Sequence, residues 1–519
     1  MSAIIEALQG LGDEFASHVL LAAAAIALGI AVALPTAVWA ARSPTVARLS
    51  LGFASLVQTI PALALLALFF PILLSLRAVF GEGLPTLGFL PALLALALYA
   101  LLPILRNAVT AQANLDPGVI EAADGVGMSG WQKLRLVEAP LAAPYIMAGI
   151  RTASVWTIGA ATLSTTIGQK SLGDPIFAGL QTQNWALVLA GCIAAAGLAM
   201  VTDALLGLVE KGFRTRNRML SIGPLVVVVL AILAAIFVTF GGRLTGETKP
   251  IAIGAKQFSE QYILARLIGQ RLEDAGYDVE YRDGLGSAVV HSAVRSGAID
   301  IAIDYTGTIW ANQMKRTDNP GREAMYRQIA DWERQTSDAR VFGRLGFENA
   351  YGLAMRGDVA SRLGISSIAD LAGRGGTMTI GGDPEWFERP EWVGVRDAYG
   401  LSFGEQRTFA PTFMYNALKS GEADVISAYT SDGRISADNL TVLADPKGAL
   451  PSYDALIVLS PRASRDEKLK SVLEPLLGSI TVEAMREANY SVDRDTDKRT
   501  PANAARNLAR RAGLTAASR

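Results

Sequence analysis

Four tyrosines in the second half of the chain stand where a turn meets a hydrophobic strand pattern. They are Tyr305 in DYTGT, Tyr351 opening YGLAM, Tyr429 closing ISAY before TSDG, and Tyr453 in PSYDALIV. Aromatics at the C-terminal ends of strands in an α/β lobe project into the crevice where ligands bind. Taken singly, each ring has a plainer reading as core or turn packing. The small and polar residues beside three of them (Thr306, Gly307, Thr430, Asp432, Asp454) argue for an open setting rather than a buried one. Asp304, Asp432 and Asp454 read as turn or cap residues. Trp310 and Trp386 read as packing or as walls of a pocket, and Glu260 as a first-turn helix acid. His291 reads as a surface residue of its helix, and Arg506–Arg519 as a solvated basic tail.

Other chemistry has little material. The chain holds one cysteine, Cys192, and two histidines, His18 and His291, far apart. That excludes an intrachain disulfide framework or a Cys-cluster metal site and leaves little for a zinc site. No base–nucleophile pair presents itself. GxxxxGK[ST] does not occur, so the chain carries no phosphate-cradling loop of its own. Lys+Arg 47 against Asp+Glu 48 give no electrostatic support for a nucleic-acid partner.

The elements that must position these residues divide near residue 245. The 519 residues are 51% hydrophobic and only 18% charged, and mean hydropathy is +0.30. Up to Phe240 Ala, Leu, Ile and Val dominate. A membrane-crossing helix needs about 20 apolar residues, and candidate spans lie at 17–41, 51–76, 87–107, 141–168, 185–208 and 223–240. Arg42 and Arg48, Arg106, Lys133 and Arg135, then Lys211, Arg214, Arg216 and Arg218 put 42–49, 107–140 and 209–222 in the cytoplasm. The opposite loops carry chiefly Arg77 and Lys170. The N-terminus and everything after the sixth span then lie outside. Acids Glu6, Asp13 and Glu14 argue against a signal peptide at the start. Residues 241–249 read as a short polar tether. Beyond it, strands at 250–255, 277–282 and 299–304 alternate with helices at 259–275 and 287–296. The pattern recurs at 377–382, 391–400, 411–420 and 423–429, predicting an α/β domain of two lobes with mostly parallel sheets.

Between the third and fourth spans lies EAADGVGMSGWQKLRLVEAP, Glu121 to Pro140. A small-sided helix, a glycine turn at Gly125, Gly127 and Gly130, a second helix and a proline entering the bilayer make a lever for a gripping partner. Glu121, Ala122, Ala123, Gly127, Val137 and Pro140 resemble in register the coupling loop of ABC-transporter permeases, departing at Ala139 where that family has Leu. The run LVQTIPALALLALFFP, Leu56 to Pro71, is similar to the permeases for quaternary-ammonium osmoprotectants. The resemblance covers about 15–215. It implies a membrane all-α permease of about six transmembrane helices over 1–222, its coupling loop at 113–135, with the last helix and linker at 223–248. It also implies a separate cytoplasmic ABC ATPase that spends the ATP, no cofactor on this chain, and a second copy completing a homodimeric pore in membrane lipid.

Residues 249–519 resemble the substrate-binding proteins of the same osmoprotectant family. The markers are GAKQFSEQYILA (Gly254–Ala265), DYTGT, the Tyr351 segment, WFERPEWVGVRDAYG (Trp386–Gly400) and MYNALKSGEADVISAYTSDG (Met414–Gly433). The implied fold is an α/β two-lobed type II clamshell on the periplasmic side of a bacterial inner membrane. Lobe one would be 249–350 plus 455–519, and lobe two 351–454. The implied site is an ammonium cage of Tyr305, Tyr351, Tyr429 and Tyr453 with a carboxylate clamp of Lys256, Thr308 and Arg389. Pro390-Glu391 replaces the family's Asp-Gly after the arginine. A trimethylammonium has no N–H to donate, so weakly hydrated ring faces suit it better than a carboxylate does. Four rings at about 0.5–2 kcal/mol each fall near the ~8 kcal/mol of micromolar binding before association costs, so the anionic end must help. Glycine betaine would use both ends and choline the cage alone. Carnitine, ergothioneine or another amino-acid-like solute stays open. A ligand-gated channel or receptor would lack the Glu121–Pro140 loop.

Overall fold

The computed structural model describes residues 2–81, 84–181, 184–240, 250–384, 386–494 and 496–514. The tether expected at 241–249 and the end of the basic tail, 515–519, lie outside the described residues. The described residues divide into a helical unit, 2–177 and 185–240, and a unit of mixed α/β structure from Pro250 onward.

Among the described residues of the first unit, five helices are long and apolar enough to cross a membrane: Gly12–Ala40, Ala62–Phe80, Phe89–Ala113, Trp185–Thr215 and Arg218–Phe240. A sixth, Ala139–Ala161, packs among them. Its Arg151 forks onto Asp203 at 2.6 and 2.7 Å and reaches Glu210 at 3.4 Å, which fastens it to Trp185–Thr215. Two expected spans are corrected. The stretch 51–76 is not one helix: Pro44–Thr59 ends at Ile60, and Ala62–Phe80 starts beyond Pro61. Proline lacks the N–H and pushes the residue before it to extended backbone, and Ile60 has ψ 125°. The stretch 141–168 stops being α-helical at Ala161 and tightens to a 3-10 turn over Thr162–Ile167. There Thr162, Ser164 and Thr166 bond carbonyls three residues back, and Gly168 turns left-handed.

The loop after Phe89–Ala113 is built by local chemistry. Asp116 caps the Pro117–Gly125 helix and Gly127 takes φ +77°. Ser129 and Gln132 form a capping box that starts Gly130–Lys133. A wider turn, Leu134–Glu138, leads into the helix that Ala139 and Pro140 open. Lys133 pairs with Asp124 at 2.7 Å across the bend. Glu121 and Ala122 face outward with Val126, Trp131 and Leu136, whereas Ala123 is buried under the turn.

Among its described residues the second unit holds two five-stranded sheets. Its strands are β1 (Ile251–Lys256), β2 (Val279–Leu285), β3 (Ile301–Tyr305), β4 (Arg340–Glu348), β5 (Tyr351–Arg356), β6 (Thr379–Gly382), β7 (Glu405–Thr408), β8 (Val425–Tyr429), β9 (Leu440–Val442) and β10 (Asp454–Leu459). The orders are β2-β1-β3-β10-β4 and β7-β6-β8-β5-β9. The sheets are mixed rather than mostly parallel. β1–β2, β1–β3, β6–β7 and β6–β8 are parallel, while β10 and β5 pair antiparallel to both neighbours. β5 and β10 are the strands that follow the two crossings between sheets. Each enters its sheet from the far side, which reverses its direction. The basic C-terminal run is not a solvated tail up to its last turn: Pro501–Arg511 buries Ala504, Ala505 and Leu508 in the core with the Ser259–Asp274 helix.

Candidate solute-binding site

Every one of the four tyrosines stands at a strand end beside a crossing. Tyr305 ends β3, Tyr429 ends β8, Tyr351 begins β5 and Tyr453 precedes β10. Tyr351 and Tyr429 are cross-strand partners with ring centroids 5.1 Å apart. Tyr453 meets Tyr351 edge-on at 5.6 Å, and Trp386 lies 4.8 Å from Tyr351. Three of the tyrosines and a tryptophan therefore make one ring cluster. Tyr305 is apart from it. Its ring stacks on Phe258 at 6.2 Å, and its hydroxyl donates to Glu260 at 2.5 Å and accepts from Gln261. The turn after Tyr305 nonetheless reaches Tyr453. Thr306 bonds Ser452 and Asp454, and Gly307 lies so close that a Cβ there would sit 2.3 Å from the Tyr453 ring.

The setting is buried, not open. Tyr351 is 7% exposed and Tyr453 2%. The small residues beside the rings allow close approach of strands, which buries them. Burial, with nearby carboxylates, holds the Tyr305, Tyr429 and Tyr453 phenols well above the usual tyrosine range, so each keeps its proton.

Both cations named for the clamp already face carboxylates. Lys256 Nζ lies 2.5 Å from Asp304 Oδ1 and 5.2 Å above the Tyr305 ring. Burial opposes ionisation of Asp304, but Lys256 and His291 outweigh it and hold the carboxyl at about 2. Arg389 donates to Tyr453 Oη at 2.8 Å and forks onto Glu391 at 3.1 and 3.2 Å, its guanidinium 5.2 Å from the Tyr351 ring. Glu391 also receives the Tyr453 hydroxyl. The Pro-Glu in place of Asp-Gly thus starts the Pro390–Tyr399 helix and sets a carboxylate against the arginine. Thr308 is buried in the turn after β3.

Four residues belong to this site beyond those picked out by type. Trp386 is a full member of the cluster. Asp383 accepts from Tyr429 Oη at 2.8 Å, and Glu391 holds Arg389 and Tyr453. Glu260 is no plain first-turn acid: at 2% exposure it takes hydrogen bonds from Tyr305, Asn349 and Asn489. Its position one residue before Gln261 in GAKQFSEQ was the only signal available. His291 is corrected as well. It is 1% exposed, with Nδ1 3.2 Å from Asp304 and Nε2 2.9 Å from Glu333, because its helix turns that face onto β3 and the Arg322–Thr336 helix.

Residues 19–215 match the model of the binding-protein-dependent transport system inner membrane component. Residues 249–510 match that of the substrate binding domain of the ABC-type glycine betaine transport system. The chain belongs to the glycine-betaine-type ABC importers, as a fused permease and substrate-binding protein. It is 31% identical over 471 residues to the ergothioneine transport permease/ergothioneine binding protein of Helicobacter pylori, covering 88% of this chain and 82% of that one. It is 40% identical over 194 residues to the glycine betaine/carnitine/choline transport system permease protein of Bacillus subtilis, 37% of this chain and 84% of that one. To a glycine-betaine-binding protein of Pseudomonas aeruginosa it is 31% identical over 280 residues, 51% of this chain and 88% of that one. This fused importer chain is a multi-pass inner-membrane transport component that works with an ATPase partner on a small solute.

Proposed function

We propose that the importer chain captures a quaternary-ammonium solute against the rings of Tyr351, Tyr429, Tyr453 and Trp386, with Tyr305 closing the cage, and releases it into its own pore. The observation that carries this reading is the ring cluster at the crossings. Tyr351, Tyr429 and Trp386 come from the sheet of β5 to β9 and Tyr453 from the return crossing, while Tyr305 ends β3 of the other sheet, so lobe closure would bring Tyr305 against a cluster already formed. Rings suit a permanent cation that has no N–H. Glycine betaine is the reference solute, its carboxylate taken by Lys256, Thr308 and Arg389. The relatives' solutes, choline, carnitine and ergothioneine, are the alternatives. The pairing of Lys256 with Asp304 and Arg389 with Glu391 favours one of them specifically. A solute carboxylate must displace a resident one, whereas choline needs no displacement.

In the same reading the binding domain stands on the outer side of the membrane. Two copies make the pore within membrane lipid, and the chain holds no cofactor. A separate cytoplasmic ATPase hydrolyses ATP and grips 113–135 through Glu121, Ala122 and the Val126–Trp131 face, with Ala123 packed beneath and Gly127 making the turn, below Pro140. Calorimetric titration of the full-length chain in lipid nanodiscs with glycine betaine, choline, carnitine, ergothioneine and proline tests the solute. Saturable binding of at least one quaternary-ammonium compound, and none of proline, is expected. Proline binding alone would remove the cage.

A further inference from the structure

Beside the ring cluster, between the start of the Ser259–Asp274 helix, the Asn349 crossing, the end of β8 and the Val482–Asp493 helix, lies a cavity of about 90 Å³. That is far above the ~10–15 Å³ that admits a single water. Tyr429 lines it and so joins it to the cluster. Its character is set by Glu260. Oε1 of this carboxylate accepts from Tyr305 at 2.5 Å and from Asn349 Nδ2 at 3.2 Å, and Oε2 accepts from Asn489 Nδ2 at 3.1 Å. Asn489 Nδ2 also donates to the Ser431 carbonyl at 3.0 Å.

Asn489 thus donates twice to neighbours and Asn349 once. Their amide oxygens, Asn349 Oδ1 and Asn489 Oδ1, find no partner among the described residues, although the side chains are only 8% and 5% exposed. Buried acceptors left without donors are rare and costly. The groups around them point the same way. Asp432 is paired with Arg434 at 2.5 Å, and the carboxyls of Glu260 and Asp493 stand in the same lining. Two open acceptors among carboxyl groups, beside the ring cluster, match a donor group and no anion.

We propose that this chamber receives an O–H or N–H donor carried by the solute, so that the importer prefers quaternary-ammonium compounds bearing such a group over those, like glycine betaine, that have none. The inference rests on the ring-cluster reading and narrows its solute class. A solute that fills the cage and also supplies the donor satisfies Asn349 and Asn489 together. One without the donor leaves those oxygens to water in the chamber.

The test uses matched pairs that differ in the donor: carnitine and its deoxy analogue γ-butyrobetaine, choline and its O-methyl ether, trimethylhistidine and trimethylphenylalanine. Each is titrated calorimetrically into the full-length chain in nanodiscs. In at least one pair the donor-bearing member should bind tenfold or more tighter, and Asn489→Leu should bring that ratio within twofold. Asn489→Thr keeps a hydroxyl for Glu260 but lacks the amide oxygen; it replaces the leucine variant if the latter does not fold. Ratios below twofold in all three wild-type pairs overturn the chamber while leaving the cage standing. So does a large ratio that survives the Asn489 variant. A chain that binds none of the six compounds overturns the cage and the chamber with it.

Discussion

The loop at 116–140 and the site at the sheet crossings solve opposite problems. The loop is short-range throughout. Asp116 caps two residues ahead, Ser129 and Gln132 cap each other, and Lys133 reaches Asp124 nine residues away. It holds Val126, Trp131 and Leu136 outward, 61–74% exposed. The crossing site is mostly long-range. Glu260 is bonded from positions 305, 349 and 489, and Arg389 from 391 and 453. It buries its charges and rings. A surface proposed to meet another protein can be assembled locally and left open. One proposed to take a small cation is gathered from distant segments and closed.

The comparison breaks if the loop proves to matter for binding or the crossings for coupling. Gly127→Val, which forces a side chain onto a φ of +77°, should lower uptake by more than tenfold in proteoliposomes with the ATPase, with solute affinity unchanged within twofold. Normal uptake would strip the loop of its role. Tyr351→Ala removes the ring that touches three others. It should weaken quaternary-ammonium binding at least about tenfold, the loss of one good ring contact, and Tyr429→Ala should follow closely. Unaltered calorimetric affinity in both would contradict the cage. Gly307→Ala puts a methyl against the Tyr453 ring and should cost about 1–3 kcal/mol of stability by overpacking, read from chemical denaturation.

A pH series sharpens the contrast further. Burial raises Asp493 from 3.8 to about 6, partly offset by Arg434. The folded state then binds more protons than the unfolded one between those values, so this group's contribution to stability falls as pH rises from about 4 to 6. Asp493→Asn should flatten that slope by on the order of 2 kcal/mol across the window. An unchanged slope would assign it elsewhere. The smallest effect belongs to the loop's exposed pair: Lys133→Ala should shift stability by less than about 1 kcal/mol, and less in high salt.

Legibility followed the same divide. Elements with strong local signals lie close to where periodicity puts them. The Pro411–Ser420 helix begins at its proline, and β3 and β8 end at their tyrosines. The loop's caps and glycine turn are readable because partner and cap lie within a few residues. What stayed hidden depends on who meets whom. Nothing in the string around Glu260 announces Asn489, and nothing near Arg389 announces Tyr453. His291 looked like a surface residue because its carboxylate partners lie 13 and 42 positions further on. The antiparallel strands β5 and β10 were missed for a kindred reason, since direction within a sheet depends on the route of the chain. Pro61 alone should have divided the second span, because its restriction of Ile60 is local.

The two crossings carry one more implication. From Pro250 the chain runs directly into β1, and the Pro501–Arg511 helix packs on the core of the same unit. The sheet of β5 to β9 is therefore an excursion of the chain, which departs after Glu348 and returns before Asp454, and the Val482–Asp493 helix also bonds it through Thr430 and Ser431. Under the proposed capture, the sheet of β5 to β9 is then the jaw whose swing would release solute, and a crosslink from it to the other sheet would lock the grip.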